Sequence, residues 1–490
     1  MSSSETVVVG PGSWLHFVGA GGSGMSALAL LHAGGCRAAG GRATGSDRAF
    51  DHGEREAIRS ALAAAGVEIR PQDGSDLAES SGRRCDAVIA STAVEDAVPD
   101  LTAARNLGIP ILHRSELLAR HVENHRTVAV TGTSGKSTVT AMVFAILQDA
   151  GWGPGLLTGG ALAELTARGH LGNAWAPTPP TDPVAAAVPG PPWLVIEADE
   201  SDGSLVRYRP HVGLVLNLGL DHKPPAEVLD MFATFKARTR GVFVMPADEN
   251  LASLREGAAF FGLQDLRPAG LAGTWAAALD LRPRESRFTI DGIPFRLPQP
   301  GIHNVLNAAA AVAACRACGL TVEQAAGPLA KFQGVARRFQ PVGTARDVEV
   351  IDDFAHNPDK IAAALATARH RLPDADRGRV LAVFQPHGFG PTRFLRDALV
   401  NTFASCLRPR DILWLPEIFF AGGTVTRDIS SADLADAITG QGRDARFIPD
   451  RAGLPSAIAK EAGPGDLVLV MGARDPSLTD LCRDILTALG

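Results

Sequence analysis

One short segment of the sequence combines the residue types that bind and transfer phosphate. Residues 128–138 read Val-Ala-Val-Thr-Gly-Thr-Ser-Gly-Lys-Ser-Thr: an apolar strand, a glycine turn and the start of a helix. The backbone N–H groups of such a turn form an anion-binding nest at the positive end of the helix dipole. Lys136 would reach the terminal phosphates, and the hydroxyl of Ser137 would take a Mg²⁺ position. Only two residues separate Gly132 from Gly135, so this is a shorter variant of the general pattern; the alternative is an ordinary capped turn.

Acidic residues follow two further apolar runs, at the points where the corresponding strands should end. Trp193–Ile196 leads into Glu197, Asp199, Glu200 and Asp202, and Val212–Leu216 leads into Asn217, Asp221 and His222. In a parallel sheet, ligands bind beyond the carboxyl ends of the strands, so these side chains should lie at the same edge as the phosphate loop. Carboxylates and an imidazole beside a phosphate nest suit Mg²⁺–nucleotide chemistry. The alternative is a solvated acidic cap before a helix, and two such clusters in one domain favour the nucleotide function.

A second glycine turn follows the short apolar strand Trp14–Val18. It has the spacing Gly19-x-Gly21-x-x-Gly24, and an acid, Asp47, stands about twenty residues further on. Such glycines allow a backbone to approach a pyrophosphate, and the acid can accept a hydrogen bond from a ribose hydroxyl. Alone, the motif fits NAD, a nucleotide-sugar diphosphate or merely a tight turn. The additional Gly22 makes NAD the less suitable ligand.

An alanine-rich helix predicted over residues 304–318 begins with two asparagines. Asn304 and Asn307 are three residues apart and therefore share one face of the helix. Asparagine at a helix start is often only a cap. Its amide can also read an adenine edge, because it offers both a donor and an acceptor.

These residues need a scaffold of alternating strands and helices. The pattern predicts an α/β protein of three domains: a Rossmann-like domain (1–123), a central P-loop domain with a mostly parallel sheet (124–335) and a Rossmann-like C-terminal domain (336–490). In the last domain, apolar runs at 348–351, 380–384 and 467–470 lead into polar residues. Residues 175–192, rich in Pro and Ala, are predicted to be a surface loop. Residues 334–339 are predicted to be a hinge between domains.

The composition is that of a soluble α/β protein and argues against several other classes. Of the 490 residues, 46% are hydrophobic and 20% charged, and the net charge of −6 gives no reason to expect nucleic-acid binding. The six cysteines are scattered, and Cys315 and Cys318 are interpreted as core packing rather than a metal or redox site. No signal peptide and no window long enough for a membrane span is apparent, so a reducing cytoplasm is expected. The oligomeric state is left open.

Together and in this order, the motifs resemble those of the Mur ligases, the ATP-dependent enzymes that build the peptidoglycan peptide. The resemblance covers essentially the whole chain and is greatest to the branch that acts on UDP-N-acetylmuramate. It rests on residues 19–25, 45–47, 131–138, 197–202, 217–222, 303–307, 334–339, 352–356 and 385–387. It implies the three domains above, ATP with Mg²⁺, a UDP-N-acetylmuramate-like nucleotide sugar, and an amino acid bound by the third domain, with L-alanine as the expected amine. An acyl phosphate would be the intermediate.

The resemblance also implies roles for individual residues. The residues expected to bind ATP are Gly132, Thr133, Ser134, Gly135, Lys136, Ser137, Thr138, Asn304, Asn307, Arg338 and Asp352. Those expected to hold Mg²⁺ are Ser137, Glu200 and His222, and those expected to act in catalysis are Lys136, His222, Arg338 and His356. The nucleotide-sugar site is expected to include Gly21, Gly22, Ser23, Gly24, Asp47 and Ser91.

The sequence departs from the pattern of this branch mostly in the third domain. Asn357 stands where the branch usually has a second histidine, Gly388 where it has arginine, and Arg474 where it has glycine. Because the third domain is expected to bind the amine, two alternatives stay open: a ligase of the same chemistry with another amine or a peptide, and a nucleotide-binding homologue that no longer ligates. A third alternative, an NAD-dependent oxidoreductase, leaves the phosphate loop without a function.

Overall fold

The described residues of the protein form three β-sheets in chain order, of five, ten and six strands. The computed structural model describes residues 9–92, 94–187, 189–201, 203–220, 223–372, 374, 377–420 and 426–490. The predicted α/β class with three sheet-based domains is confirmed, while the limits 1–123, 124–335 and 336–490 stay predictions. Within the described ranges, no helix is both long and apolar enough to cross a membrane. All six cysteines are free.

The first sheet is parallel throughout, in the order β3-β2-β1-β4-β5. Its strands are β1 (Trp14–Val18), β2 (Arg42–Ser46), β3 (Glu68–Ile69), β4 (Ala87–Ala90) and β5 (Ile111–His113). Its helices are α1 (Ser23–Ala39), α2 (Arg48–Asp51), α3 (Glu56–Ala65), α4 (Pro99–Leu107) and α5 (Arg114–Asn124). Every residue of β1 is buried, as expected for a central strand that helices cover on both faces. The chain leaves β1 through the first glycine turn and enters α1.

The second sheet has the order β15-β14-β13-β12-β11-β10-β6-β9-β7-β8. Its strands are β6 (Arg126–Thr131), β7 (Gly155–Leu157), β8 (Ala174–Trp175), β9 (Trp193–Glu197), β10 (Val212–Val215), β11 (Val242–Pro246), β12 (Ala259–Leu263), β13 (Thr274–Leu281), β14 (Ser286–Ile290) and β15 (Ile293–Leu297). Its helices are α6 (Lys136–Asp149), α7 (Ala163–Ala167), α8 (Pro183–Ala187), α9 (Pro225–Arg238), α10 (Ile302–Cys318) and α11 (Glu323–Ala330). The strands from β13 to β7 are parallel, and the outer strands β8, β14 and β15 are antiparallel to their neighbours.

Small side chains let α10 pack closely against α6, the helix that follows the phosphate loop. The run Ala308–Ala314 in the middle of α10 is buried, and alanine also has the highest helix propensity. This packing carries the first turn of α10 to the phosphate loop. A Cβ atom added to Gly135 would lie only 2.6 Å from Oδ1 of Asn307.

The third sheet has the order β16-β17-β21-β18-β19-β20, and only β16 is antiparallel to its neighbour. Its strands are β16 (Gln340–Ala345), β17 (Val348–Asp353), β18 (Val380–Gln385), β19 (Ile412–Pro416), β20 (Asp444–Ile448) and β21 (Leu467–Gly472). Its helices are α12 (Pro358–Arg371), α13 (Phe389–Cys406), α14 (Ser431–Gly440), α15 (Leu454–Glu461) and α16 (Leu478–Leu489). Thus β21, the last strand in sequence, lies between β17 and β18.

The segment 175–192 is the clearest departure from the sequence expectation. It was expected to be a surface loop, but it contains the end of β8 and the short helix α8. Pro183 begins α8, and proline is favoured in the first turn because its missing N–H is not needed there. The predicted hinge at 334–339 is an irregular connection in which Val335 bridges to Leu162 of the central domain.

Candidate active site

The phosphate loop joins β6 to α6 through two glycines in backbone conformations that other residues rarely adopt. The φ angle is 131° at Gly132 and 90° at Gly135. A Cβ atom on Gly132 would also lie 3.0–3.1 Å from atoms of Leu216 and Asn217. Gly135 precedes the first residue of α6, and no side chain caps this helix. The N–H groups of its first turn therefore remain able to bind an anion.

Lys136 lies in a cluster of acidic side chains at the start of α6. Its Nζ donates to the carbonyl of Gly132 at 2.9 Å and to the two carboxylate oxygens of Glu200 at 2.9 and 3.1 Å. Burial lowers the pKa of Lys136, but the charges of Glu200, Asp199 and Glu197 outweigh it and hold that pKa above its usual value. Burial raises the pKa of Glu200, against the opposing charge of Lys136. The lysine is therefore charged, and a phosphate group would compete with Glu200 for it.

The hydroxyl of Ser137 donates to Oε2 of Glu197 at 2.8 Å. The same carboxylate oxygen accepts from Oγ1 of Thr158 at 2.9 Å and from the N–H of Gly159 at 2.7 Å. Glu197 reaches Ser137 because it ends β9, which pairs in parallel with β6. A hydroxyl and a carboxylate are oxygen ligands of the kind that Mg²⁺ prefers. Glu200 was expected to be the acid for Mg²⁺, whereas Glu197 is the acid beside Ser137.

The segment after β10 holds the phosphate loop from the other side. The side-chain amide of Asn217 accepts from the N–H of Ser134 at 2.8 Å and donates to its carbonyl at 3.0 Å. Oγ1 of Thr133 accepts from the N–H of Gly219 at 2.9 Å. Within the described ranges, the buried Oγ of Ser134 has no hydrogen-bond partner. His222, which was expected to act in catalysis and to hold Mg²⁺, lies outside the described residues.

A cavity of about 920 Å³ lies beside the phosphate loop, between the central and third domains. Its wall includes Ser134, Gly135, Thr138, Phe261, Trp275, His303, Asn304, Asn307, Val335, Arg338, Asp353 and Lys360. Nδ2 of Asn304 donates to the carbonyl of Pro300 at 2.8 Å, and its Oδ1 accepts from Nδ2 of Asn307 at 3.3 Å. The two asparagines are thus fixed at the wall, and the volume is in the range of small-molecule sites.

Arg338 links the hinge to the phosphate loop. Its Nη2 donates to Oγ of Ser137 at 3.3 Å. Its guanidinium stacks over the ring of Phe354, 4.9 Å from the ring centroid. Because Ser137 belongs to the central domain and Phe354 follows β17 of the third, the position of Arg338 depends on both domains.

Asp353, and not Asp352, lines the cavity. Its carboxylate accepts from the N–H groups of Phe339 at 2.6 Å and Ala355 at 2.7 Å. Burial raises the pKa of Asp353 to about 6, although the charge of Arg338 opposes this rise. The residue expected at the nucleotide site was the preceding one, Asp352. Successive residues of a strand point to opposite faces, so only one of the two can face the cavity.

Asp352 instead fixes the hinge. It is fully buried and accepts hydrogen bonds from Nε of Arg337 at 3.1 Å and from the hydroxyl of Thr479. The guanidinium of Arg337 also donates to the carbonyls of Gly472 at 2.8 Å and Asp475 at 3.0 Å. Arg337 therefore ties the hinge to the loop after β21.

His356 lies just before α12, close to a cation. Its Nδ1 donates to the carbonyl of Phe354 at 2.9 Å, and its Nε2 is 3.4 Å from Nζ of Lys360. Burial, together with the charge of Lys360, holds the pKa of His356 well below its usual value. The imidazole is therefore neutral at pH 7. Because Nδ1 carries the proton, the lone pair of Nε2 faces the ammonium group of Lys360.

The first glycine turn is closed by Asp47. One carboxylate oxygen of Asp47 accepts from the N–H of Gly21 at 2.8 Å, and the other accepts from the N–H of Ala49 at 2.9 Å. A Cβ atom on Gly24 would lie 3.0 Å from Nη1 of Arg114. The turn thus combines the start of α1, which no side chain caps, with a nearby guanidinium. This arrangement suits a bound phosphate group.

The predicted site residues fall into two groups. Gly21, Gly22, Ser23, Gly24 and Asp47 form the first turn, and Ser91 follows β4, the strand next to β1. The phosphate-loop residues, Glu200, Asn304, Asn307 and Arg338 lie together around the second turn and its cavity.

No individual role was predicted for Arg337, Asp353 or Lys360, and Asn217 and Glu197 were predicted only as members of polar runs. Glu197 and Asp353 end strands, Asn217 follows one, and Arg337 lies in the predicted hinge, and these positions were the available signals. Lys360 lies within α12 and has no such signal.

Three family descriptions match the chain in order. Residues 15–126 match "Mur ligase family, catalytic domain", residues 130–315 match "Mur ligase middle domain", and residues 337–474 match "Mur ligase, glutamate ligase domain". The matched ranges together extend over most of the chain.

Two curated relatives are similar over almost their whole length. The chain is 34% identical to a UDP-N-acetylmuramate–L-alanine ligase of Mycolicibacterium vanbaalenii, covering 96% of this chain and 95% of the relative. It is also 34% identical to a protein of the same name from Mycobacterium marinum, covering 97% and 94%. The crystal structure of a UDP-N-acetylmuramate–alanine ligase from Thermotoga maritima matches with a TM-score of 0.72 at 25% identity, covering 97% of this chain and 98% of that one.

Proposed function

Because the chain belongs to the Mur ligase family, we propose that it joins L-alanine to the carboxylate of UDP-N-acetylmuramate in peptidoglycan precursor synthesis. The reaction class is that of an ATP-dependent carboxylate–amine ligase that forms ADP and phosphate. The observation that carries the proposal is the 920 Å³ cavity shared by two domains. A nucleotide on the phosphate loop would face the third domain, where the amine is expected to bind.

ATP is the co-substrate whose binding the central domain supports best. The N–H groups at the start of α6 and the charged Nζ of Lys136 would hold its phosphates. Asn304 and Asn307 on the cavity wall offer amide groups to the adenine edge. Arg338, at 3.3 Å from the hydroxyl of Ser137, would contact the phosphates from the side of the hinge.

Mg²⁺ is the cofactor that fits the residues next to the loop. The hydroxyl of Ser137 and the carboxylate of Glu197 lie 2.8 Å apart and are hard oxygen donors. We assign Glu197 as the acid that would hold the ion, with Glu200 as the partner of Lys136. When bound, Mg²⁺ neutralises charge on the phosphates and polarises them.

The proposed reaction has two steps. An oxygen of the substrate carboxylate attacks the γ-phosphorus of ATP, ADP leaves, and an acyl phosphate forms. The amine nitrogen then attacks the acyl carbon, phosphate leaves with the electron pair of the C–O bond, and the nitrogen loses a proton.

The chain contributes charge, shielding and a base to these steps. Lys136 and Arg338 would stabilise the charge that develops on the transferred phosphate. The walls of the closed cavity would keep water from the acyl phosphate. Nε2 of His356 would accept the proton of the amine, because its imidazole is neutral and its other nitrogen already donates to a carbonyl.

The first domain is proposed to hold the nucleotide sugar, and the reaction is proposed to occur in the cytoplasm. The diphosphate would meet the start of α1 at the glycine turn, near Arg114. Asp47 would shape this turn through its hydrogen bond to the N–H of Gly21.

A phosphate-release screen tests the proposal. The purified chain is given UDP-N-acetylmuramate, ATP and Mg²⁺ with each amino acid in turn, and with a short muramyl-type peptide. We expect release that depends on both L-alanine and UDP-N-acetylmuramate, and a product whose mass corresponds to the amide.

The other outcomes of the screen identify the alternatives. Release with a different amino acid or only with the peptide would contradict L-alanine as the amine but retain the chemistry. Tight binding of ATP and the nucleotide sugar without any release would indicate a homologue that no longer ligates.

A further inference from the structure

Arg474 has an unusual backbone conformation at the carboxyl edge of the third sheet. It follows β21, two residues after Gly472, and its φ angle is 62°. This left-handed region is unfavourable for residues with a Cβ atom, apart from Asn and Asp in local turns. The side chain is exposed, and within the described part of the chain it makes no hydrogen bond or ion pair.

Hydrogen bonds hold the backbone in place before and after Arg474. Arg337 donates to the carbonyls of Gly472 and Asp475. The carboxylate of Asp475 pairs with Arg451 and accepts from the N–H of Ser477 at 2.9 Å. An unfavourable conformation persists only where its surroundings enforce it, and such positions cluster at functional sites. Because Arg337 is also part of the hinge, the loop that carries Arg474 is bonded to the residue next to Arg338, which lines the cavity.

The loop of Arg474 lies between the two histidine-bearing loops of this edge. In the sheet, Met471 pairs with Asp353 of β17, and Gly472 pairs with Gln385 of β18. His356 and His387 follow these two strands, and their rings are 5.4 Å apart in an edge-to-face arrangement. Ligands of open parallel sheets bind at this edge.

We propose that Arg474 binds the α-carboxylate of the incoming amino acid and thereby selects amines that carry a free carboxylate. This inference rests on the proposed function and adds a specificity-determining residue to it. A guanidinium matches a carboxylate with two parallel hydrogen bonds. The neighbouring guanidinium groups of Arg337 and Arg451 are already engaged with Asp352 and Asp475. Among these three arginines, Arg474 is the one for which the described residues supply no carboxylate partner, so it can take an anionic substrate group.

The test compares Arg474→Gly and Arg474→Lys with the unsubstituted enzyme, using L-alanine and L-alaninamide as amines. Arg474→Gly should raise the KM for L-alanine on the order of ten- to a hundredfold, the usual effect of losing a hydrogen bond between charged groups. Arg474→Lys keeps the charge without the planar fork, so its KM should lie in between. The KM values for ATP and UDP-N-acetylmuramate should not change. With L-alaninamide, which lacks the carboxylate, Arg474→Gly and the unsubstituted enzyme should behave alike.

Arg346→Gly is the matched control. Arg346 is also an exposed arginine with a positive φ, 49°, but it lies in the turn between β16 and β17 at the opposite edge of the same sheet. This variant should leave every KM unchanged. Because glycine adopts positive φ freely, neither Arg→Gly variant should lower the unfolding temperature.

Two outcomes would overturn the inference alone: an unchanged KM for L-alanine in Arg474→Gly, or an equal rise for L-alanine and L-alaninamide, which indicates a structural role. If the unsubstituted enzyme released no phosphate with any amino acid, the proposed function would fail together with the inference.

Discussion

The chain contains two strand–glycine turn–helix units that share a backbone design and differ in their side chains. The first joins β1 to α1 through residues 19–24, and the second joins β6 to α6 through residues 132–135. In both units the helix begins without a side-chain cap, so its N–H groups can meet an anion. Only the second helix begins with a lysine, followed by two hydroxyl residues.

The charged groups around the two turns explain their different proposed functions. The first turn would only bind a phosphate group, whereas the second would also support phosphate transfer. At the first turn, Asp47 accepts from the N–H of Gly21, and Arg55 donates to the carbonyl of the same glycine at 2.9 Å. These contacts fix the turn, and the cation nearest to its last glycine, Arg114, comes from α5 rather than from the first residue of the helix. At the second, the charged Lys136 is buried against Glu200 and can stabilise charge that moves. The backbone nest selects a phosphate group, and the side chains decide whether it is transferred.

The largest expected effect is the loss of the cation that distinguishes the second turn. Lys136→Ala should lower the rate of amino-acid-dependent phosphate release on the order of a hundred- to a thousandfold, because a charge at the transferred phosphate is lost. Lys331→Ala is the matched control, since Lys331 lines the same cavity but its side chain is 78% exposed. Near-normal release by folded Lys136→Ala would refute a role for this lysine in transfer.

The same substitution tests the ion pair through pH. The charge and hydrogen bond of Lys136 are the main influences that oppose the burial raising the pKa of Glu200, so this pKa should rise further without the lysine. A carboxyl group whose pKa is higher in the folded state holds its proton more tightly there, so folding stability is retained at low pH and falls as pH rises. We expect urea unfolding of Lys136→Ala to show this loss of stability as the pH rises above 4.5, the ordinary value for a glutamate carboxyl. Adding Glu200→Gln should remove the pH dependence.

Alanine substitution of one glycine in each turn compares the two backbones directly. Gly135→Ala should cost about 1–3 kcal/mol of unfolding free energy, because its φ is 90° and the new Cβ would lie 2.6 Å from Asn307. Gly22→Ala should cost less than about 0.5 kcal/mol, because its φ is −73° and the nearest atom would be at 3.4 Å. Urea unfolding measures both. Equal losses would mean that the two turns are equally constrained.

The second turn shows which features of the site could be predicted from the sequence alone. Alternating apolar residues and glycines located β6, the loop and α6, and the acidic runs after β9 and β10 indicated the edge where the site lies. The sequence did not decide which acid meets Ser137. Glu197 does, and Glu200 does not, because the parallel pairing of β6 with β9 sets Glu197 opposite Val130. Pairing register is a property of the sheet and is not visible in one strand.

A similar limit applies to Asp352 and Asp353. Both follow an apolar run, and the alternation of a strand implies that one faces the cavity and the other the interior. Which of the two aspartates faces the interior depends on Arg337 and Thr479. These residues are distant from one another in sequence, and both donate to Asp352 in the folded protein. The antiparallel outer strands of the central sheet, β8, β14 and β15, likewise depend on pairing with other strands and are not visible in one segment of sequence.

Asp47→Ala tests whether the first turn serves the nucleotide sugar alone. Removing this carboxylate leaves the N–H of Gly21 without its partner, which typically costs about 1–3 kcal/mol. We expect weaker binding of UDP-N-acetylmuramate by that amount and an unchanged KM for ATP. Asp51→Ala is the control, because Asp51 also accepts from a backbone N–H, that of Gln72, but away from the turn. A similar change in the KM for ATP would contradict the proposal that the first turn binds only the nucleotide sugar and the second binds ATP.

The stabilities of α1 and α6, the helices that follow the two turns, should respond differently to acid. The buried face of α6 carries apolar side chains such as Met142 and Ile146. In α1, the ring of His32 lies 6.2 Å from that of His121 in α5, which lies 5.8 Å from that of His125. Burial lowers the pKa of His32 to about 4 and that of His121 to about 3. Both imidazoles are therefore neutral in the folded protein.

These histidines should make α1 the more acid-sensitive of the two helices. Because their pKa values are lower in the folded state than the ordinary 6.5, the unfolded chain binds more protons below that pH. The stability is complete above pH 6.5 and falls as the pH drops, by about 1–2 kcal/mol at pH 5 for each histidine that must be protonated on opening. Hydrogen exchange, corrected for intrinsic rates, should therefore show less protection of α1 at pH 5 than at pH 7, while α6 stays unchanged. His121→Leu should reduce the difference because the apolar side chain does not titrate, and equal changes in both helices would show that the acid response is global.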